Sequence, residues 1–124
     1  FSALFQREQV SKNDVICLQG EEAREFYFVN HGSVDVFLVN PDGSRLRVSK
    51  IKSGAFTGEM GYYLKAVRSA EMRAGSDAVL YKLLYKDFDL FAKQYPAVAM
   101  IFLNYLGEKM ARKLDATNKL LLRH

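Results

Sequence analysis

The sequence of 124 residues has little of several residue types, and each shortage excludes a class of protein. It contains one cysteine, two prolines and no tryptophan. Because Cys17 stands alone, no disulfide can form within the chain, which favours a reducing compartment and a cytoplasmic location. A run of about eighteen apolar residues, the length that spans a membrane as a helix, is absent as well.

The residues that metal-dependent and nucleophilic chemistry need are also scarce. The two histidines, His31 and His124, are far from each other and from Cys17 in the sequence, so no metal-ligand spacing exists. No nucleophile motif is present either. We therefore expect no catalytic residue, no metal site and no enzymatic activity. A metal-dependent enzyme with a β-roll shape would rest on overall shape alone, and it fails for want of metal ligands.

The apolar content is sufficient for a packed core. Hydrophobic residues make up 49% of the chain and aromatic residues 13%, which excludes a disordered segment. The formal net charge of +4 is a mild excess that a mixed, solvated surface explains, so we expect no nucleic-acid partner in this fragment. The first residues lack an initiating Met and a signal-peptide pattern, and we interpret the chain as a fragment of a longer protein.

The first two-thirds of the chain consists of short segments rich in β-branched and aromatic residues, separated by turn residues. Alternation is clearest over residues 33–39, where Val34, Val36 and Leu38 share one side and Asp35 lies on the other. The predicted strands cover residues 14–18, 25–29, 33–39, 45–51, 69–74 and 78–84, and "NPDGS" at 40–44 is predicted to form a turn. Many short strands at short spacing indicate an antiparallel barrel or jelly roll.

The last third of the chain changes to a helical period. Phe88, Phe91 and Ala92 stand at helical spacing, and Pro96 fits the first turn of a second helix. Apolar residues then recur every three or four positions from Val98 to near the chain end, which predicts one long amphipathic helix. A helix of this length in a small domain is expected to contact a partner, such as a second copy in a homodimer.

These patterns together predict a single domain over residues 1–124 with a mainly β, α+β fold. We expect a jelly-roll β-roll, a double-stranded antiparallel β-helix, over about residues 6–84. C-terminal helices follow over about residues 86–122.

The stretch "GEMGYYLKAVRSA", residues 58–70, places Glu59 directly after a glycine and Arg68 nine positions later. A short helical turn over residues 59–64 would point the backbone N–H groups of Gly58, Glu59 and Met60 toward an anion. Gly58 would allow close approach of a ligand, and Arg68 could make a two-pronged contact with the same anion.

An acid next to an anion site needs its own explanation. Glu59 fits if it accepts a hydrogen bond from a neutral hydroxyl beside the anion, as the ribose 2′-OH of a nucleotide provides. Spacing alone leaves a second interpretation open. In that case Glu59 only stabilises the start of a helix and Arg68 makes a surface ion pair.

Residues 58–70 resemble the phosphate-binding cassette of cyclic nucleotide-binding domains, in which Gly-Glu and an apolar turn precede Arg, a small or hydroxyl residue and Ala. Residues 18–37 are similar to a second signature of this family, with Gly20, Tyr27 and Gly32 in register. The resemblance covers almost the whole chain. It implies a β-roll followed by the B and C helices of the family.

The resemblance also implies the contacts of each site residue. Glu59 would bind the ribose 2′-OH and Arg68 the cyclic phosphate, the amides of Gly58 and Glu59 would lie near the sugar-phosphate, and those of Ser69 and Ala70 near the phosphate. Ser69 favours cAMP over cGMP, because Thr at that position tends to accompany cGMP in the family. The C helix would cap the base, with candidates from Leu114 to Leu122. No cofactor beyond the ligand is implied.

Four positions depart from the pattern of the family. Asn13 stands where Gly is usual, although Asn tolerates the left-handed conformation. Ala55 replaces a frequent acid, Thr57 an aromatic residue and Val67 a proline. These changes leave open an interaction domain of the same fold that has lost nucleotide binding.

We therefore expect a non-catalytic regulatory module that relays nucleotide binding through its C-terminal helix to an effector in the same chain. "TGEMGYY", "VRSA" and "LDATNKLL" are similar to the C-terminal cytoplasmic domain of some bacterial SulP-type anion permeases. That similarity implies a transporter as the effector and a place on the cytoplasmic side of a membrane. The sensor domain of a truncated transcription regulator is the other alternative.

Overall fold

The computed structural model describes residues 2–108, and this stretch contains eight strands. They are β1 (Gln6–Val10), β2 (Val15–Cys17), β3 (Glu25–His31), β4 (Ser33–Val39), β5 (Arg45–Lys52), β6 (Phe56–Thr57), β7 (Glu71–Ala74) and β8 (Ala78–Leu84). A 3-10 turn, Ser2–Leu4, precedes them.

The strands form two four-stranded sheets, with the orders β1-β8-β3-β6 and β2-β7-β4-β5. Every named strand pair is antiparallel. Side chains from both sheets meet in one core, which contains Cys17, Tyr27, Val29, Val34, Met72, Ala78 and Leu80. The predicted β-roll is confirmed.

Helices occur within and after the β-roll. Helix α1 (Glu59–Leu64) connects β6 to β7, and α2 (Tyr85–Gln94) follows β8. Residues 96–108 are helical as far as the structure describes them, and we label this stretch α3. The remainder of the predicted long helix lies outside the described residues.

The chain divides into two compact units, Phe1–Lys86 and Asp87–His124. In the first unit, the β-roll encloses the core described above. In the second, the rings of Phe88 and Phe102 lie 5.2 Å apart. Ala99, Phe102 and Leu106 are buried at helical spacing, whereas Val98 and Ile101 on α3 are exposed.

Most predicted strands are confirmed, and β4 and β8 have the predicted bounds. The sequence of β5 alternates less regularly because its Val48 is an extra residue opposite the step from Val36 to Phe37 in β4. Strands β1 and β6 were not predicted. The sequence of β1, "QREQV", is largely polar and exposed, and β6 has two residues, so neither carries a hydrophobic alternation.

A buried carboxylate connects β7 with β5. Glu71 is 1% exposed and accepts hydrogen bonds from Nε of Arg45 at 2.6 Å and from Nη2 of Arg73 at 3.0 Å. Burial alone would raise the pKa of Glu71, but the two arginines outweigh it and hold the pKa below its usual value. This side chain therefore stays ionised at neutral pH.

Candidate functional site

Gly58 lies between β6 and α1 and has a conformation that only glycine adopts without strain. Its φ is 97° and its ψ is −1°, and it is the N-cap of α1. A Cβ atom at this position would lie 2.6 Å from the carbonyl oxygen of Glu25 and 3.2 Å from Cα of Phe26. Glycine is therefore required both for the turn and for the close approach of the β3 backbone.

Glu59 is the first residue of α1 and is 2% exposed. The helix covers Glu59–Leu64, the stretch for which a short helical turn was predicted. The Met60 side chain is 47% exposed, so the contact predicted for this residue depends on its backbone amide. The carboxylate of Glu59 thus lies in the protein interior.

Arg68 is brought next to Gly58. Its Nη1 atom lies 3.3 Å from the Cβ position of Gly58, and its Nη2 donates a 2.9 Å hydrogen bond to the carbonyl of Glu25. The guanidinium carbon is 5.7 Å from the centre of the Tyr27 ring, and the side chain belongs to a residue that is 9% exposed. A buried positive charge therefore faces the loop that carries Glu59.

The backbone on either side of Arg68 is also fixed. Its N–H donates to the carbonyl of Glu21 at 2.6 Å, and its own carbonyl accepts a 2.8 Å hydrogen bond from Gly20. Ser69 follows and is exposed, and Ala70 is half-buried before β7 begins. The end of the cassette is thereby attached to the loop after β2.

The ring of Tyr27, over which the Arg68 guanidinium lies, is itself held in place. Its hydroxyl donates to the Glu25 carboxylate at 2.6 Å. Burial and the Glu25 carboxylate raise the pKa of Tyr27, so its hydroxyl stays protonated. The aromatic ring is thus kept in place and neutral beneath the guanidinium.

Tyr85, the first residue of α2, contacts the same loop from another direction. Its hydroxyl donates a hydrogen bond to the carbonyl of Gly58, and its ring lies 4.8 Å from the ring of Phe26. Burial, helped by the charges of Glu25 and Glu59, raises the pKa of Tyr85 to about 12 against the opposing effect of Arg68. Arg68 and Glu59, which the sequence pattern paired, are thus both near this hydroxyl.

A cavity of about 390 Å³ lies beside the guanidinium and is lined by Ile16, Cys17, Glu21, Glu22, Arg24, Glu25 and Arg68. Of these residues, only Arg68 belongs to the predicted site. Three glutamates in the lining make this cavity a poor place for an anion. We therefore define the site by the contacts around Gly58, Glu59 and Arg68, and not by this cavity.

Three residues of this arrangement were not predicted: Glu25, Tyr27 and Tyr85. Tyr27 was noted only as part of the family signature. A signal for Tyr85 was present in the second glycine of "GEMG", because a Cβ at Gly61 would lie 2.8 Å from the Tyr85 hydroxyl oxygen. Two glycines three positions apart in a short helix indicate that other groups approach its backbone. The predicted base cap, Leu114–Leu122, lies outside the described residues.

Residues 2–108 contain neither a candidate membrane-spanning helix nor a candidate metal-binding cluster. No helix in this stretch is both long and apolar enough to cross a membrane. No group of three or more His, Cys, Asp or Glu side chains in the same stretch could hold a metal ion.

Comparison with known proteins identifies the family. Residues 7–95 match the cyclic nucleotide-binding domain. The chain belongs to this family, as the resemblance of its cassette implied.

The relatives include transcriptional regulators and a channel. The cAMP-activated global transcriptional regulator CRP of Salmonella typhimurium is 31% identical over 102 residues, which cover 82% of this chain and 47% of that protein. A cyclic nucleotide-gated potassium channel of Mesorhizobium japonicum is 35% identical over 88 residues, 71% of this chain and 23% of the channel. The chain spans about half the length of the CRP proteins that it matches.

The fold is also similar to that of a solved catabolite activator protein. The catabolite activator protein of Thermus thermophilus superimposes with a TM-score of 0.77 at 26% identity, over 97% of this chain and 56% of that one. The comparisons give no support to the similarity with SulP-type anion permeases.

Proposed function

We propose that this chain is a non-catalytic regulatory module that binds a cyclic nucleotide, with cAMP preferred over cGMP. Glu59 binds the ribose 2′-OH and Arg68 binds the cyclic phosphate. The backbone amides of Gly58, Glu59, Met60, Ser69 and Ala70 complete the contacts to the sugar-phosphate.

One observation carries the proposal. Arg68 is 9% exposed, yet it forms none of the ion pairs found between described residues; its side chain contacts the Glu25 carbonyl, the Tyr27 ring and the Tyr85 hydroxyl. Buried charges in proteins are normally paired, because desolvation of an ion is costly. A guanidinium that is fixed in place by neutral groups is well suited to pair with an anionic ligand.

The preference for cAMP has two supports. The resemblance to the family associates Ser at position 69 with cAMP. The CRP relatives are described as cAMP-activated. Exposure of Ser69 leaves its hydroxyl accessible to a ligand.

The effector is proposed to lie in the same chain as this module, in the cytoplasm. Relatives of this domain belong to transcription regulators and to a channel, so the same module serves effectors of different types. We propose that ligand binding shifts the population toward a state in which the C-terminal helix covers the base. An exposed apolar face on α3 supports a homodimer through this helix.

Calorimetric titration with cAMP and with cGMP tests the proposal on wild type and on Arg68→Ala. Loss of a desolvated charge contact costs roughly 2–5 kcal/mol, so Arg68→Ala is expected to weaken binding by more than tenfold. Arg24→Ala is the matched control. Arg24 lines the neighbouring cavity, but its only described ion pair, with Glu22, is exposed.

A second function is carried by two departures from the family pattern at the edges of the cassette. Thr57 is half-buried and Val67 is 58% exposed, where the family usually has an aromatic residue and a proline. In this alternative the domain binds a partner protein without nucleotide. If titration with cAMP and with cGMP gives no heat of binding, the result favours this alternative. Equal binding by wild type and Arg68→Ala would reject the site assignment.

A further inference from the structure

We infer that Tyr85 is a positioning residue of the proposed nucleotide site, whose hydroxyl fixes the Gly58–Glu59 peptide and thereby the Glu59 carboxylate. The effect on affinity rests on the proposed function. The effect on the peptide does not, because it is a property of the protein without ligand.

The contact that carries the inference is a single hydrogen bond. The Tyr85 hydroxyl donates to the carbonyl oxygen of Gly58, which also accepts the N–H of Tyr62 at 3.3 Å. Because the peptide unit is planar, a fixed Gly58 carbonyl also fixes the orientation of the bond to Glu59. The backbone from which the Glu59 side chain extends is thus held from two sides.

Tyr85 itself is firmly placed. Its N–H donates a 2.8 Å hydrogen bond to the carbonyl of Arg24, and its ring lies 4.8 Å from Phe26 and 5.2 Å from Tyr62. These aromatic contacts do not depend on the hydroxyl. A phenylalanine at position 85 would therefore keep the packing and lose the hydrogen bonds of the hydroxyl, which are to the Gly58 carbonyl and with the Arg68 side chain.

Gly61 leaves space in the cassette for the Tyr85 hydroxyl. A Cβ atom on Gly61 would lie 2.8 Å from the Tyr85 oxygen and 2.5 Å from Cβ of Ala23. Any residue other than glycine there would push the hydroxyl away from the Gly58 carbonyl. The second glycine of "GEMG" thus has a role of its own, distinct from that of Gly58.

The hydroxyl remains a donor over the accessible pH range. Burial raises its pKa to about 12 although the Arg68 guanidinium opposes the shift. The same hydroxyl has a hydrogen bond with the Arg68 side chain, so its loss is expected to affect Arg68 as well as the Gly58–Glu59 peptide.

The first experiment uses NMR on the protein without nucleotide. In Tyr85→Phe, the ¹³C shift of the Gly58 carbonyl and the amide signals of Glu59 and Tyr62 are expected to move, because the carbonyl loses a donor. Tyr81→Phe is the matched control, since Tyr81 is a half-buried tyrosine of β8 that lies four residues before Tyr85 in the sequence. Unchanged Gly58 and Glu59 signals in Tyr85→Phe would overturn the inference.

The second experiment separates positioning from general destabilisation by comparing cAMP with 2′-deoxy-cAMP. Loss of one hydrogen bond is expected to weaken cAMP binding by roughly three- to tenfold. The loss of affinity on Tyr85→Phe should be smaller for 2′-deoxy-cAMP, which has no 2′-hydroxyl to donate to Glu59. A smaller loss is what a double-mutant cycle gives when the Tyr85 hydroxyl and the 2′-hydroxyl of the ligand are coupled. Equal losses for both ligands, or none for cAMP, would overturn the inference.

The two experiments also distinguish this inference from the proposed function. If wild type binds neither cyclic nucleotide, the proposed function fails, and the NMR comparison still decides whether the hydroxyl fixes the peptide. Thermal unfolding of both Phe variants checks that they are folded. A Tyr85→Phe protein that melts like Tyr81→Phe yet shows the shifted Gly58 and Glu59 signals supports positioning.

Discussion

Nη2 of Arg68 donates a 2.9 Å hydrogen bond to the main-chain carbonyl of Glu25, and Glu25 in turn accepts a hydrogen bond from Tyr27 through its carboxylate. The guanidinium therefore takes its position from the backbone, an aromatic ring and the Tyr85 hydroxyl rather than from an opposite charge. Such support fixes geometry without neutralising the ion, which leaves the charge available for a ligand.

Gly58→Ala is predicted to destabilise the protein far more than Gly54→Ala. Both glycines have a positive φ, 97° and 90°, so alanine at either position costs about 1–2 kcal/mol for the left-handed conformation. At Gly58, the new methyl group would also lie 2.6 Å from the Glu25 carbonyl, whereas nothing lies within 4 Å at Gly54. Chemical denaturation measures the free energy of unfolding of both variants.

Comparing Gly58→Ala with Gly54→Ala isolates the effect of the close approach of the Glu25 carbonyl. The free-energy cost of a positive φ is common to both variants. A Gly58→Ala protein that is no less stable than Gly54→Ala would show that the β3 backbone does not restrict this position. We also expect any folded Gly58→Ala protein to bind cAMP more weakly, since the Glu25 carbonyl that must move away also orients Arg68.

Glu71→Gln is predicted to lower the free energy of unfolding at pH 7 by about 1–3 kcal/mol, because charge-assisted hydrogen bonds to two arginines are weakened. The folded-state pKa of Glu71 lies below its ordinary value of 4.5. Its contribution is therefore fully present above pH 4.5 and is lost as pH falls through the lower, folded-state pKa. Wild type and variant should become similar in stability in acid.

The control for Glu71 is an exposed ion pair in the same protein. Glu22 pairs with Arg24 at 3.3 Å, but both side chains are more than 70% exposed. Glu22→Gln is therefore expected to change stability by less than about 1 kcal/mol. If the difference between Glu71→Gln and wild type did not shrink on acidification, a shifted carboxylate at Glu71 would not be its source.

The sequence was sufficient to predict those parts of the fold in which the local hydrophobic pattern and the tertiary packing agree. Val34 and Val36 face the core from β4, and the period-2 alternation of that strand is also visible in the sequence. Strand β1 could not be predicted, because a polar edge strand is specified by its pairing with β8 and not by its own burial. Asn13, which stands where the family usually has Gly, has a φ of 75°, in the left-handed region that asparagine tolerates.

The site could be predicted only as far as its own linear motif extends. Glu59 and Arg68 lie in one short stretch, and the helix between them has the predicted bounds. Glu25 and Tyr85 come from β3 and from the start of α2, so only the folded chain shows that they contact the cassette. The acceptors in both contacts, of Glu25 and of Gly58, are backbone carbonyls, which every residue has and no sequence pattern marks.

Cys17 is predicted to react slowly with a thiol reagent in the native protein. The residue is 7% exposed, and burial raises the pKa of its thiol although Arg68 opposes the shift. Because the thiolate is the reactive form, labelling at pH 8 should be on the order of a hundredfold slower than in the denatured chain. Labelling followed by absorbance, native against denatured, checks this, and equal rates would contradict the buried position.

Ile101→Glu is predicted to reduce self-association, if the C-terminal helix forms the proposed homodimer. Ile101 is 71% exposed on α3, and Val98 and Tyr105, three residues before it and four after it, continue the same exposed face. An apolar face of this kind gains free energy when it is covered, and a charge at its centre opposes that burial. Sedimentation equilibrium should show a weaker dimer for Ile101→Glu. Leu46→Glu on β5, a residue 60% exposed, is the control and should leave the association unchanged. A dimer equally strong in both variants would place the contact elsewhere on the chain.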